Sequence, residues 1–308
     1  MPELPEVQTT VNGLNEYVLG LKIVDVWTSY NSPYFKGSGT IKDPVYFKKF
    51  KKEVVGKTVL SISRRAKNIL IHLDNKIILV HMKMTGHLLY GKYKFNAKNK
   101  KDPWEAVSPE SLKDPYNKHV RFVISFSNGK HLALSDVRKF AKVAVLDSHD
   151  HHLSAHIKDI GPEPLEEEFD IEKFAARINL RPNGKIKQVL TDQNIIAGVG
   201  NIYADESLWR AGIHPMEQSK NIKGSHLHAL FSAIQSTLSK GLDFGGDSTS
   251  DYRDVTGNKG KFQETHHAYQ RTESKCDRKG CGGTIRRIVL GGRATHYCDK
   301  HQIEPRGK

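Results

Sequence analysis

Ile160-Gly161-Pro162-Glu163-Pro164 is the stretch on which the fold turns. Two prolines and a glycine in five residues interrupt any regular element, and the chain has a different periodicity on either side of them. Upstream, apolar residues fall in short β-rich runs at 22–26, 58–63, 68–72, 77–81, 120–126, 131–134 and 142–146. Asp74-Asn75 and Asn128-Gly129 mark turns between them, the pattern of antiparallel hairpins in a sandwich or barrel. Before these strands, Leu4, Val7, Val11, Leu14 and Val18 recur at helical spacing, which predicts a helix over 3–18. Downstream, the same spacing predicts helices at 171–179, 184–192, 201–211 and 225–242, then a loop rich in glycine and hydroxyls over 245–260. Residues 92–118 are rich in lysine and poor in strand pattern, and are expected to form a long surface loop. The class is therefore α+β: an N-terminal helix plus antiparallel β-sandwich over 1–150, a helical domain over 151–265, and a cysteine module over 266–308.

The 308 residues carry 48 lysines and arginines against 34 acids, a formal charge of +14. That excess favours a polyanionic partner. No apolar run approaches the roughly 20 residues that span a bilayer, and no basic amphipathic segment stands out for a membrane surface. The opening residues carry no secretory pattern. The three cysteines lie together between Cys276 and Cys298, which suits a metal site better than a disulfide framework and places the protein inside the cell, cytoplasmic or nucleoid-associated if bacterial.

Cys276 and Cys281 are separated by four residues, Cys298 and His301 by two, and the β-prone run 284–290 with Gly291-Gly292 lies between the pairs. Two knuckles joined by a hairpin can deliver four ligands tetrahedrally to one structural Zn²⁺. Metal ligation would supply the folding energy that so short a segment cannot gain from a core. His296 competes as the fourth ligand, but it sits only two residues before Cys298.

Gly198-Val199-Gly200-Asn201 leads into the helical run from Ile202, so Asn201 is expected to cap that helix. Glycines at a helix start let backbone N–H groups face an anion, and Lys185 and Lys187 nearby favour phosphate. At the other end of the chain, removal of Met1 would give Pro2 a free secondary amine. An α-amino group titrates near about 8, against about 10.4 for lysine, so more of it is a free base at neutral pH. Attack by a secondary amine on a sugar carbon gives a cationic iminium, an electron sink that can drive elimination of neighbouring phosphates. Glu3 and Glu6 stand beside it to handle protons.

Six segments together resemble the formamidopyrimidine-DNA glycosylase family, which is related to endonuclease VIII. They are Met1-Pro2-Glu3-Leu4-Pro5-Glu6-Val7, Arg64-Arg65-Ala66-Lys67, His81-Met82-Lys83-Met84-Thr85-Gly86, Gly161-Pro162-Glu163-Pro164-Leu165, Gly198 to Glu206, and Gly292-Arg293-Ala294-Thr295-His296-Tyr297-Cys298. The resemblance implies a helix–two-turn–helix element in the helical domain and a zinc-finger hairpin at the end. It implies Pro2 as nucleophile at the sugar C1′, Glu3 as proton donor, Lys67 contacting phosphate and assisting proton transfer, and Arg293 gripping the lesion's phosphates. It also implies that Lys187 and Asn201 hold backbone phosphate. Met84, Arg138 and Phe140 resemble the three residues that fill the gap left by a flipped base. Residues 245–252 resemble a flexible cover over that base.

Leu4 and the Met84, Arg138, Phe140 set are similar to the purine-lesion branch. The implied activity is excision of 8-oxoguanine and formamidopyrimidines from double-stranded DNA, followed by β,δ-elimination at the abasic site, by a chain acting as a monomer. The first zinc pair departs from the family's usual two-residue spacing, His301 stands for a last cysteine, and Asn117 stands where a histidine often contacts DNA. Two other readings remain: an endonuclease VIII-like enzyme for oxidised pyrimidines, and a non-catalytic protein that binds damaged DNA.

Overall fold

A computed structural model describes residues 1–30 and 32–304. The chain forms two compact units, Met1–Lys158 with Phe244–Lys261, and 159–243 with 262 onward. In the first unit, helix α1 spans Leu4–Tyr17 and α2 Pro44–Val54. The strands are β1 Ile23–Thr28, β2 Ser61–Arg65, β3 Asn68–His72, β4 Lys76–His81, β5 His87–Phe95, β6 Trp104–Ser108, β7 Val120–Phe126, β8 His131–Ser135 and β9 Lys142–Asp147. They build an antiparallel five-stranded sheet, β1-β7-β8-β5-β6, and an antiparallel four-stranded sheet, β2-β3-β4-β9.

Alternation along the strands sends one face of each sheet into a shared core. Ile69, Ile71, Ile78, Val80 and Val143 of one sheet meet Val26, Leu88, Phe122, Ile124, Leu132 and Leu134 of the other. Val7, Val11 and Leu14 of α1 and Phe50 and Val54 of α2 complete it. Helix α2 starts where Asp43 caps it, accepting the Val45 N–H at 2.9 Å, with Pro44 in the first turn.

The expected loop over 92–118 is partly sheet. Strand β5 runs on to Phe95, and β6 pairs with it from Trp104 to Ser108. Lysines obscure an alternation: Tyr93 is buried while Lys92 and Lys94 are exposed. Tyr93, Leu112, Leu89, Val120 and Val123, with Trp27 and Trp104, form a second cluster.

In the second unit, α3 is Ile171–Ile178, α4 Ile186–Thr191, α5 Asn201–Ala211 and α6 Gly224–Asp243, followed by the hairpin β10 Ile285–Leu290 and β11 Arg293–Cys298. Gly291 and Gly292, with φ of +57° and +72°, make its two-residue turn, which needs positive φ at both positions. Gly212 at φ +70° ends α5. Among the described residues, no helix is long and apolar enough to cross a membrane.

The units depart from the sequence boundaries at 244–261, grouped above with the helical domain. This strap belongs to the first unit. Tyr90 donates its N–H to Val255 O at 2.6 Å. Val255 also packs on α1, where a Cβ on Gly13 would lie 2.4 Å from Val255 Cγ2.

Phe50 lies 5.8 Å edge-on from Phe122 and is fully buried. Phe50→Ala is expected to lower the unfolding free energy by about 3–5 kcal/mol in urea denaturation. Val45→Ala, on the exposed side of the same helix, is expected to change it by no more than about 0.5 kcal/mol.

Candidate active site

Pro2 and Glu3 are buried immediately ahead of α1. Glu3 is extended, at φ −107° and ψ −169°, and forms a capping box with Glu6. Its N–H donates to Glu6 Oε2 at 2.7 Å. The other oxygen, Glu6 Oε1, accepts the N–H of Asp247 at 2.7 Å, and Tyr252 Oη donates to Glu6 O at 3.1 Å. One carboxylate therefore fixes both the residue after Pro2 and the strap.

Lys67 is buried in the two-residue turn between β2 and β3, where Ala66 takes a positive φ of +51°. Met84 is 41% and Phe140 47% exposed, on the β4–β5 and β8–β9 loops, so neither is core. The Arg138 guanidinium lies 4.6 Å over the Phe140 ring.

A residue that the sequence reading missed holds these loops together. Asp136 is fully buried; Oδ1 accepts from Thr85 Oγ1 at 2.6 Å, and Oδ2 from Ala141 N at 2.8 Å and Tyr30 Oη at 3.1 Å. Arg138 N in turn donates to Thr85 Oγ1 at 3.1 Å. On the other side of the first loop, His81 Nδ1 accepts Lys83 N–H at 3.0 Å. Burial, then the charges of Lys83, Lys67 and Lys142, push the His81 pKa down to about 3, so the acceptor is preserved at neutral pH. Asn117, noted above as standing in place of a histidine, is buried, with Oδ1 2.8 Å from His87 Nε2.

In the second unit, Arg293 is exposed at the start of β11. It shares a recess of about 230 Å³ with Lys187, Gln188, Thr191, Asp192, Leu290 and Gly291. Lys187 differs from the expectation that it reaches for phosphate. It is only 2% exposed and turned inward, with Nζ 2.6 Å from Asp205 Oδ1, 2.7 Å from Thr295 Oγ1 and 3.1 Å from Ala294 O. Asp205 Oδ2 accepts the N–H of His296 at 2.9 Å and lies 3.0 Å from its Nδ1. Asn201 is also not a cap: Gly200 occupies the N-cap position, and Asn201 Nδ2 donates to Ala294 O at 3.0 Å. Both side chains brace the hairpin that carries Arg293.

Cys276, Cys281, Cys298 and His301 converge, with their ligand atoms within 4.8 Å of one another. His301 Nδ1 lies 3.4 Å from Cys281 Sγ and 3.6 Å from Cys276 Sγ, and the Cys281 and Cys298 sulfurs are 3.5 Å apart. Zn–S bonds of about 2.3 Å and Zn–N bonds of about 2.0–2.1 Å place tetrahedral ligand atoms roughly 3.4–3.8 Å apart, so this quartet fits one structural zinc. His301 Nε2 is 3.0 Å from Trp209 O at the end of α5; the proton held there leaves Nδ1 for the metal. His296 does not compete, since Asp205 holds it. The longer first knuckle turns through Gly280 and Gly282, both at positive φ. Glu206 anchors the approach to it, accepting from the N–H groups of His267, Ala268 and Tyr269 at 2.7–2.9 Å.

Three family profiles match the chain. Those described as the formamidopyrimidine-DNA glycosylase N-terminal domain, its H2TH domain, and a zinc finger found in FPG and IleRS cover residues 1–143, 160–253 and 273–300. A formamidopyrimidine-DNA glycosylase of Bacillus subtilis is 33% identical over 304 residues, spanning 99% of this chain and 100% of that protein. One from Halalkalibacterium halodurans is 35% identical over 298 residues, with 97% and 98% covered. A solved complex between the Lactococcus lactis Fpg and an abasic site containing DNA is similar at a TM-score of 0.80 and 31% identity, covering 98% of this chain and 100% of that one. A structure of MutM in complex with carbocyclic 8-oxo-G containing DNA matches with the same score, identity and coverage.

His301→Cys is expected to retain one zinc per chain by elemental analysis, whereas His301→Ala loses it and exposes the hairpin to protease. Asp136→Ala leaves the Ala141 N–H, the Tyr30 hydroxyl and the Thr85 hydroxyl without their acceptor. It is expected to cost about 3 kcal/mol or more in chemical denaturation.

Proposed function

The chain belongs to the formamidopyrimidine-DNA glycosylase family, and on that premise we propose that it excises oxidised purines from double-stranded DNA with Pro2 as its nucleophile. The observation that carries this reading is the Glu6 carboxylate, which locks the Glu3 N–H on one oxygen and the strap on the other. Pro2 is thereby held at a fixed site ahead of α1, with a carboxyl beside it. Once Met1 is removed, the ring nitrogen attacks C1′ of the damaged nucleotide and the C1′–base bond breaks. Glu3 delivers a proton to the opening sugar or the departing base.

The resulting iminium acidifies C2′–H. Loss of that proton expels the 3′ phosphate, and a second elimination expels the 5′ phosphate. The enzyme leaves with water's help through iminium hydrolysis, and a one-nucleotide gap flanked by phosphates remains. Lys67 and Arg293 serve the phosphates and the proton transfers, and the helix start at Asn201 contributes backbone phosphate binding. Lys187 acts at one remove, by holding the Arg293 hairpin.

Extruding a base leaves a hole in the stack. Met84 and Phe140 are apolar groups presented to solvent rather than to a core, and Arg138 offers donors to the orphaned partner base. Their fixed loops support this role. The zinc holds the hairpin in shape and takes no part in the chemistry. The thiols that ligate it are kept reduced inside the cell.

Borohydride reduction of the protein mixed with an 8-oxoguanine duplex is expected to leave a covalent protein–DNA adduct that maps to Pro2. An adduct that persists at undiminished yield after acetylation of the Pro2 nitrogen would sink the mechanism, and no adduct at all would favour the non-catalytic reading. Faster release of thymine glycol than of 8-oxoguanine would instead assign the pyrimidine branch.

A further inference from the structure

The strap over 244–261 has no helix or strand of its own, only turns, yet besides the Tyr90–Val255 bond it is tied at its ends and on both sides. Its ends are pinched together: Lys261 N donates to Phe244 O at 2.8 Å, and a Cβ on Gly260 would lie 2.2 Å from Gly246 O. Its near side is held by Glu6, as described above. Its far side is held by residues 110–117, in the connection between β6 and β7.

Arg253 is 1% exposed. Its Nε and Nη2 reach Asp114 Oδ2 and Oδ1 at 3.1 and 3.4 Å, while Nη1 donates to Ser250 O and Tyr252 O at 3.0 and 2.8 Å. The guanidinium also lies 4.7 Å over the Tyr116 ring. Ser111 Oγ donates to Thr256 O at 2.5 Å. Next to it Gly257, at φ +89°, leaves no room for a side chain, since a Cβ would stand 2.7 Å from Ser111 O.

The segment that provides these contacts is itself fixed to the sheet. Asn117 Nδ2 donates to Ser111 O at 3.1 Å, Asn117 N to Asp114 O at 2.8 Å, and Leu112 is buried. A buried guanidinium is tolerable only while paired, so withdrawal of Asp114 leaves an uncompensated charge under the strap.

We propose that residues 110–117 are a latch for the strap, with Asp114 and Arg253 as positioning residues that hold it closed over the Glu3–Glu6 site before DNA arrives. The proposal rests on the reading that this site takes an extruded damaged base. A strap already ordered need not lose conformational entropy when it meets the base, so the latch strengthens selection of a damaged base. An abasic site offers no base for the strap to contact, so its cleavage has no need of the latch. Neither Asp114 nor Arg253 touches the reacting atoms.

The test compares the intact protein with Asp114→Asn, Asp114→Glu and Arg253→Met on two duplexes. One carries 8-oxoguanine and the other a preformed abasic site. Asp114→Asn and Arg253→Met are expected to lower kcat/KM for excision by roughly tenfold or more, mainly through KM, with abasic-site cleavage within about twofold of the parent and Asp114→Glu recovering part of the loss. Hydrogen exchange at the amides of 247–256 is expected to speed up in the same two variants while the sheet amides stay protected.

Equal losses on both duplexes would overturn the latch, because they would mean general damage to the fold. Unchanged excision despite faster exchange in the strap would overturn it too. Failure of the parent protein to form a borohydride adduct is a separate result, and it strikes the proposed function rather than the latch.

Discussion

The Glu6 carboxylate is the constraint on which the first unit's site depends. It stands in the first turn of α1, where the helix dipole favours a negative charge. An ionised carboxylate only accepts, and both of its oxygens are engaged, by Glu3 N on one side and Asp247 N on the other. Buried donors are costly to leave unmatched, so neither contact opens without penalty. The direction of the chain at Pro2 is thus set by Glu6, through the residue that follows Pro2. Residues this near the start of the chain would otherwise be among the least ordered of the protein, and the proposed role of Pro2 needs it fixed.

The second unit solves a similar problem with two adjacent acids. Asp205 takes Lys187 on one oxygen and His296 on the other, and Glu206 takes three consecutive N–H groups ahead of the zinc module. Desolvation erodes the energy gained from a buried Lys–Asp pair, so net stability is a poor account of its presence. Orientation explains it better. Lys187 also reaches Thr295 and Ala294, so α4, α5 and β11 are brought to a single register with Arg293 at the start of the strand. Trp209 adds the same kind of control at the far end of α5 through His301.

What the sequence disclosed follows from how local each signal is. Strands β3 and β7 and helix α5 have the predicted bounds because their periodicity is uninterrupted. The zinc quartet was legible because ligand spacing within a hairpin is itself local. Helix α2 escaped although Asp43-Pro44 announces it, since four lysines dilute its apolar face and only Phe50 and Val54 are buried in it. Strand β6 was hidden the same way. The inward turn of Lys187 and the membership of the strap were not readable at all. They depend on pairings such as Asp247 with Glu6, 241 residues apart, for which no local pattern exists.

The exposed trio shows why such pairings matter. Met84 and Phe140 leave apolar surface in water, which adds nothing to the free protein's stability. The role proposed for them requires that they already stand where a missing base would be, because ordering a loop during binding subtracts from affinity. Asp136 meets that need by linking three parts of the chain: Tyr30, Thr85 before β5, and Ala141 before β9. Arg138 is drawn into the same lattice through Thr85 and through its stack on Phe140. A polar residue at zero exposure thereby determines where three exposed ones stand. This explains why the family pattern could point to the exposed trio while giving no sign of the acid beneath them.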